Sequence, residues 1–413
     1  MDTPLREQYD ALLAGDSIAS DYSRWRELRR LVIVHGLPRD EASTVDATSS
    51  LCSLRGRVWK TFLGVENDVD MTKYAALVGR GASHDDGDIR NDTFRTFRGD
   101  SEFAQRVPEE KLVRLLNVFI NELGAVPPGE AAAQEDGSEQ AHDGNVPSIR
   151  YVQGMNVLCA PLLYVLPEPD AYHTFCQLIV RHCPHYMAAQ LQGVEKGCTL
   201  VDKCLETLDP DLYQHLLRRG ITARIYALPL ILSLFACVPP LHELLRVWDV
   251  LFAVGVHFVV ILAVAHTVLL REQLLQLDMD LMKVLSLRCV PPLQSDLLIS
   301  IALQLFHRLP EDLLYEIARH PFANPDAPTS LPFHPKTISA IATQLQKEQK
   351  ELATGSDRTL RSSGSLTDEE TAVAVNQQCH STEVSQRASC PSSPQGDTTD
   401  TWSCPTAMED MES

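Results

Sequence analysis

Apolar residues along this chain recur mostly at helical spacing. Leu5, Tyr9, Leu12 and Leu13 share one face of a first segment, and Trp25, Leu28, Leu31 and Val32 share one face of a second. Gly36 followed by Pro38 predicts the stop of that second helix. RDEASTVDATSS (39–50) is small and polar and reads as a loop. LRGRVWKTFLGV (54–65) resumes the helical period, with Val58, Phe62 and Val65 on one side. The clearest helix follows Pro108: Leu112, Leu115, Leu116, Phe119, Ile120 and Leu123 form an apolar stripe, and Gly124 ends it. Helical patterns continue to about Arg319, punctuated by Pro167, Pro184, Pro210, Pro229 and Pro239–Pro240. Strand alternation and a βαβ rhythm are both missing, so the pattern predicts an all-α body. No repeat of fixed period is evident, which argues against a solenoid.

Three stretches break the pattern. AVPPGEAAAQEDGSEQAHDGNVPS, within 125–149, has no apolar period and much Gly, Pro and acid, and predicts a disordered surface insertion. Residues 346–413 predict a disordered tail, because 20 of the 63 residues from 351 onward are Ser or Thr and Trp402 is nearly alone as an aromatic. Ser393–Pro394 and Ser363, two residues after Arg361, are short phosphosite-like patterns in that tail, where added phosphate would order or release a segment. The third stretch, Val250–Leu270, is an uncharged run of 21 residues, long enough to cross a bilayer. His257 and His266 interrupt it and Gly255 signals a turn, so a buried central helix is the favoured reading and a membrane span the alternative.

Charge refines this picture. The 413 residues carry 36 Lys+Arg against 55 Asp+Glu, a net −19. Residues 351–413 account for −8 and residues 125–149 for −5, leaving a nearly balanced body at −6. The balance disfavours nucleic acid or an anionic membrane as the main partner, since both need a basic footprint. The N-terminal MDTPLREQYD has neither the apolar core of a secretory signal nor the Arg-rich character of a transit peptide. The 11 cysteines include no CxxC pair, which predicts reduced cytosolic thiols. Cys176, His182, Cys183 and His185 cluster without a second ligand pair at zinc spacing, and read as packing residues.

Two segments stand out as candidate chemistry. In Asp88-Ile89-Arg90-Asn91-Asp92-Thr93-Phe94-Arg95-Thr96, spacing by three places Asp92 beside Arg95 on a helical turn. Such a carboxylate pre-orients a guanidinium that stays charged. The same spacing also fits an ordinary surface ion pair worth ~0–1 kcal/mol. In Tyr151-Val152-Gln153-Gly154, an amide next to a glycine precedes the apolar segment Met155–Val165. That junction either presents the amide to a ligand with backbone close by, or uses it as a helix cap.

Taken together, the motifs resemble a known family. IxxDxxR at 89–95, YxQG at 151–154 and Arg246-Val247-Trp248-Asp249 are similar to the three signature blocks of the TBC domain, a family of GTPase-activating proteins acting mostly on Rab-type small GTPases. LRGRVWK (54–60) and DPDLYQHLLRRGI (209–221) resemble two further blocks, in the family's order. The resemblance covers about residues 36–320. Segments RYVQGMNVLCAPLLYVLPEPDAYHTF and LVDKCLETLDPDLYQHL, with Pro239–Pro240, look closest to the fungal mitotic checkpoint TBC proteins of the spindle pole body.

The resemblance implies an all-α chain with four parts: an N-terminal helical extension (1–35), a single large TBC domain (36–320), a C-terminal helical extension (321–345) and the tail. It implies that Arg95 acts as an arginine finger and Gln153 as a second, water-orienting finger supplied in trans. Asp92 would position Arg95, while Ile89, Tyr151, Gly154, Arg246, Trp248 and Asp249 support the site. Trp248 and Asp249 are expected at a helix start, with Arg246 paired to Asp249 or another acid. A non-catalytic scaffold that binds a GTPase without activating it is the alternative. The implied partners are a Ras- or Rab-like GTPase of mitotic exit or septation and a second, non-TBC subunit, with cytoplasmic location and recruitment to the spindle pole body. GTP and Mg²⁺ would belong to the GTPase; the chain has no GxxxxGK[ST], so no cofactor of its own and no stand-alone reaction are expected. Two departures from the family pattern are the separation of GLP from LRGRVWK by residues 39–53 and the acidic insertion between the two finger motifs.

Overall fold

Short-range capping explains where many of the helices begin. Asp21 accepts from the backbone N–H of Ser23 and Arg24 to start Tyr22–His35, and Ser53 accepts from Gly56 to start Leu54–Leu63. Asp70, Asp100 and Asp209 do the same for Met71–Val78, Ser101–Arg106 and Pro210–Arg218. The structure, a computed structural model, describes residues 3–14, 21–38, 52–65, 69–123, 150–187, 190–276, 285 and 292–322. All regular secondary structure among them is helical. The loop at 39–50, the insertion at 125–149, nearly all of the extension 321–345 and the tail with Ser363 and Ser393 lie outside the described residues.

Two groups of helices organise the core. In the first, Glu109–Leu123 packs against Met71–Val78, Asp86–Thr93, Met155–Val165 and Glu168–Gln177. Its stripe of Leu112, Leu115, Leu116, Phe119 and Ile120 is buried, as its period predicts. In the second, Val259–Leu269 packs between Gln192–Leu208 and Ser295–Phe306. Leu54–Leu63 joins the groups by touching both Glu168–Gln177 and Leu241–Val254, and the Lys60 ammonium donates to Asp170 across the first of these contacts. The N-terminal helices Thr3–Leu13 and Tyr22–His35 are part of the same packing. Tyr9 is fully buried with its hydroxyl on the Gly36 carbonyl at 2.8 Å, and Trp25 meets Phe62 edge-on at 5.4 Å.

The long uncharged run is split. Leu241–Val254 ends at Gly255, whose φ of 124° belongs to glycine. A short turn, Val256–Phe258, then leads into Val259–Leu269, which is buried almost throughout. No helix among the described residues is long and apolar enough to cross a membrane. The Cys176–His185 segment is engaged piecemeal: His182 Nε2 lies 3.2 Å from the Leu63 carbonyl, and the Cys183 thiol donates to the Leu178 carbonyl.

Histidines inside this core carry a pH consequence. His320 Nδ1 lies 2.6 Å from the Ile317 carbonyl, so that nitrogen holds the proton and Nε2 accepts from the Tyr186 hydroxyl at 2.6 Å. Burial pushes its pKa down to about 4. The unfolded chain takes up this proton near pH ~6.5, whereas the folded chain resists it until about pH 4. The unfolded state therefore binds more protons across that window, and stability falls as pH drops through it. Linkage sets the loss at ~1.4 kcal/mol per pH unit, or about 2 kcal/mol between pH 6.5 and 5. Urea unfolding at several pH values should show a shallower acid slope for His320→Gln than for the natural chain. Equal slopes would mean that His320 titrates alike in both states.

Candidate functional site

The helix Asp86–Thr93 ends in a tight turn that carries Arg95. Arg95 N donates to the Asp92 carbonyl at 3.2 Å and Thr96 N to the Thr93 carbonyl at 3.0 Å. This turn places the Arg95 guanidinium back over Asp92, with Nη2 3.2 Å from Oδ1. The Arg95 side chain is 43% exposed and that of Asp92 only 10%. Ile89, fully buried, anchors the inner face of the helix. Asn117, from Glu109–Leu123, fixes the start of the helix by donating to Asp86 and accepting from Ser83, each at 2.7 Å.

The second motif docks on this one. The Tyr151 hydroxyl donates to Asp92 Oδ2 at 3.0 Å, so one carboxylate holds Arg95 through one oxygen and Tyr151 through the other. Burial, followed by the nearby Asp92 charge, pushes the Tyr151 phenol well above its ordinary range and keeps it a donor. Tyr151 N donates to Asp85 Oδ2 at 2.8 Å, so Asp85 spends its side chain on the second motif rather than on capping its own helix. Gly154, at φ 106°, turns the chain into Met155–Val165. Gln153, just before it, is exposed, and its amide makes no hydrogen bond among the described residues.

Spacing alone does not point to Asn156, yet it ties the two motifs together. Its buried amide donates to Thr96 Oγ1 at 2.8 Å and to the Asp92 carbonyl at 3.3 Å. The available signal was a lone amide among the apolar residues Met155, Leu158 and Cys159. A buried amide that bonds two groups on the other segment rigidifies both, since each broken bond leaves an unsatisfied buried polar atom.

The third block sits elsewhere and differs from the sequence expectation. Trp248 and Asp249 lie in the middle of Leu241–Val254, not at its start, and both are fully buried. Trp248 Nε1 donates to the Leu234 carbonyl at 2.8 Å. Asp249 accepts from Trp59 Nε1 at 2.8 Å and from Arg55 Nε and Nη2 at 3.0 and 3.1 Å. Arg55, not Arg246, is therefore the partner of Asp249. Arg246 instead donates to the Val32 and Ile33 carbonyls that end Tyr22–His35, and pairs with Asp296 at 3.3 Å. Gly36 is required there, because a Cβ would lie 3.3 Å from the guanidinium at a φ of 68°. Arg246 ties Tyr22–His35 to Leu241–Val254 and Asp249 ties Leu54–Leu63 to it, a structural task rather than capping of a loop.

With this geometry in view, comparison with known proteins decides the family. The RabGAP-TBC model, described as the Rab-GTPase-TBC domain, matches residues 142–275. "Cell division control protein 16" of Schizosaccharomyces pombe is 36% identical over 294 residues, covering 71% of this chain and 87% of that protein. "Mitotic check point protein BUB2" of Saccharomyces cerevisiae is 32% identical over 308 residues, covering 74% of this chain and 94% of that protein.

The chain belongs to the TBC Rab-GAP family.

As an all-α TBC protein it carries YxQG and RVWD inside the segment that the family model matches, and IxxDxxR outside it. The contacts of Asp92 and Asn156 join the unmatched segment to the matched one. That connection is independent of sequence matching, because it rests on hydrogen bonds across 59 and 60 residues of separation.

Proposed function

We propose that this TBC protein is a GTPase-activating protein that accelerates GTP hydrolysis on a Ras- or Rab-like GTPase, with Arg95 and Gln153 supplied in trans. The observation that carries the reading is the shared Asp92 carboxylate, which holds an exposed guanidinium and the Tyr151–Gln153 segment in one unit. Phosphoryl transfer spreads negative charge over the γ-phosphate oxygens, and a pre-oriented guanidinium stabilises that charge. The exposed Gln153 amide, on the segment that Tyr151 docks to Asp92, would align the attacking water, a role that many GTPases fill themselves. GTP and Mg²⁺ are carried by the GTPase in this scheme. Asp92 orients Arg95 without cancelling its charge, because guanidinium does not lose its proton.

The cellular role in this reading is restraint of mitotic exit or septation. The names of the two relatives support it, one a cell division control protein and the other a mitotic check point protein. Recruitment to the spindle pole body and a second, non-TBC subunit complete the proposal.

Phosphate release, measured on a panel of Rab-like and mitotic GTPases with and without partner proteins, is the test. Stimulation of one GTPase, with Gln153→Ala lowering the stimulated rate by about 10²-fold, is the expected result. A chain that binds a GTPase equally in its GDP and transition-state-analogue forms, and stimulates none, would instead be a scaffold.

A further inference from the structure

Phe94 lies between Asp92 and Arg95 and is 48% exposed, a large apolar ring at the outer edge of the finger turn. A single exposed phenylalanine needs no explanation by itself. Its position does, because the Arg95 guanidinium carbon sits over the ring, 5.4 Å from its centroid. The guanidinium is thus held on two sides, by the Asp92 carboxylate at its Nη2 and by the Phe94 face. Among the described residues Arg95 makes no other side-chain hydrogen bond, so its remaining N–H donors are unspent.

The two restraints respond differently to water. In solvent the Asp92 pair is screened, and the ring contributes little to an exposed cation. When a partner excludes water the cation–π attraction rises about two- to four-fold, because the competing hydration of the guanidinium is lost. A restraint that grows as water leaves acts at the moment when the arginine faces phosphate charge. We infer that Phe94 is a positioning residue for Arg95: its ring is the platform that holds the guanidinium flat once a GTPase has closed over the turn. This rests on the reading of Arg95 as the finger. It predicts an effect on the hydrolytic step beyond any loss of apolar contact with the partner.

The experiment is single-turnover GTP hydrolysis on the stimulated GTPase, with the rate at saturating activator separated from the activator concentration for half-effect. Phe94→Ala should lower the saturating rate about thirty-fold, the size of a desolvated cation–π contact. Phe94→Tyr, which keeps the π face, should restore it. Phe94→Leu keeps apolar bulk without the face, and should recover the half-effect concentration but not the rate. Phe94 is half-exposed, so these variants should melt with the natural chain. If Phe94→Leu or Phe94→Ala reaches the natural saturating rate while Arg95→Ala abolishes stimulation, the platform is wrong and the finger stands. If Arg95→Ala itself keeps full stimulation, the finger reading fails and the platform falls with it.

Discussion

Arg95→Ala should lower stimulated GTP hydrolysis by about 10³–10⁵-fold under the proposed mechanism, the range over which an arginine finger acts. The side chain is 43% exposed and contributes one surface ion pair to the fold. Its removal should therefore change stability by less than ~1 kcal/mol, and a loss of rate cannot be put down to unfolding. Arg95→Lys keeps a charge but loses the planar fork that bonds two phosphate oxygens at once. It should recover only a small part of the rate. Stopped-flow detection of released phosphate, with melting curves for each variant, is the measurement. Full stimulation by Arg95→Ala together with Gln153→Ala would sink the two-finger mechanism.

Asp249→Ala is the most destabilising single change expected at the sites described. The carboxylate is fully buried and takes three hydrogen bonds, from Trp59 and both ends of the Arg55 fork. Removing it leaves the buried Trp59 indole N–H without this acceptor and takes a fully buried carboxylate away from the Arg55 guanidinium. Breaking a buried pair by deleting one partner costs ~3–5 kcal/mol, a large share of the ~5–15 kcal/mol that holds a typical protein folded. Arg55 is 26% exposed and can turn toward water, which moves the expectation to the lower end of the range. Asp249→Asn keeps an acceptor for Trp59 and should cost less. Urea unfolding decides it: a loss below ~1 kcal/mol for the alanine variant would mean that the cluster does not hold Leu54–Leu63 to Leu241–Val254.

The finger turn and the clamp differ in how much of them a reader of the sequence can see. Asp92 and Arg95 are three residues apart, within one helical turn, so their pairing follows from local geometry. The same holds for the aspartates that cap helices and for Gly36 and Gly255, which end them. Arg246 shows the opposite case. Its three-residue spacing to Asp249 allows a pair on one helix, with another acid as the alternative, and Asp296 is that acid. The fold brings Arg55, 194 residues away, to the Asp249 carboxylate, and turns Arg246 toward the end of another helix. Asn156 and Asp85 leave no local signal of their pairing for the same reason, since their partners lie on segments remote in sequence.

The sequence by itself determined the helical class and several helix boundaries, and its resemblance to the TBC family named the two finger candidates. Periodicity, caps and glycine stops act over three or four residues, and that information is complete locally. Only the tertiary structure decided that Asp92 serves Arg95 and Tyr151 together, that Trp248 and Asp249 are core residues of a mid-helix clamp, and that Phe94 lies under the guanidinium. Each of these depends on where a side chain stands relative to atoms brought near by packing. A carboxylate with two oxygens can take partners from two remote segments, and spacing along the chain encodes at most one of them.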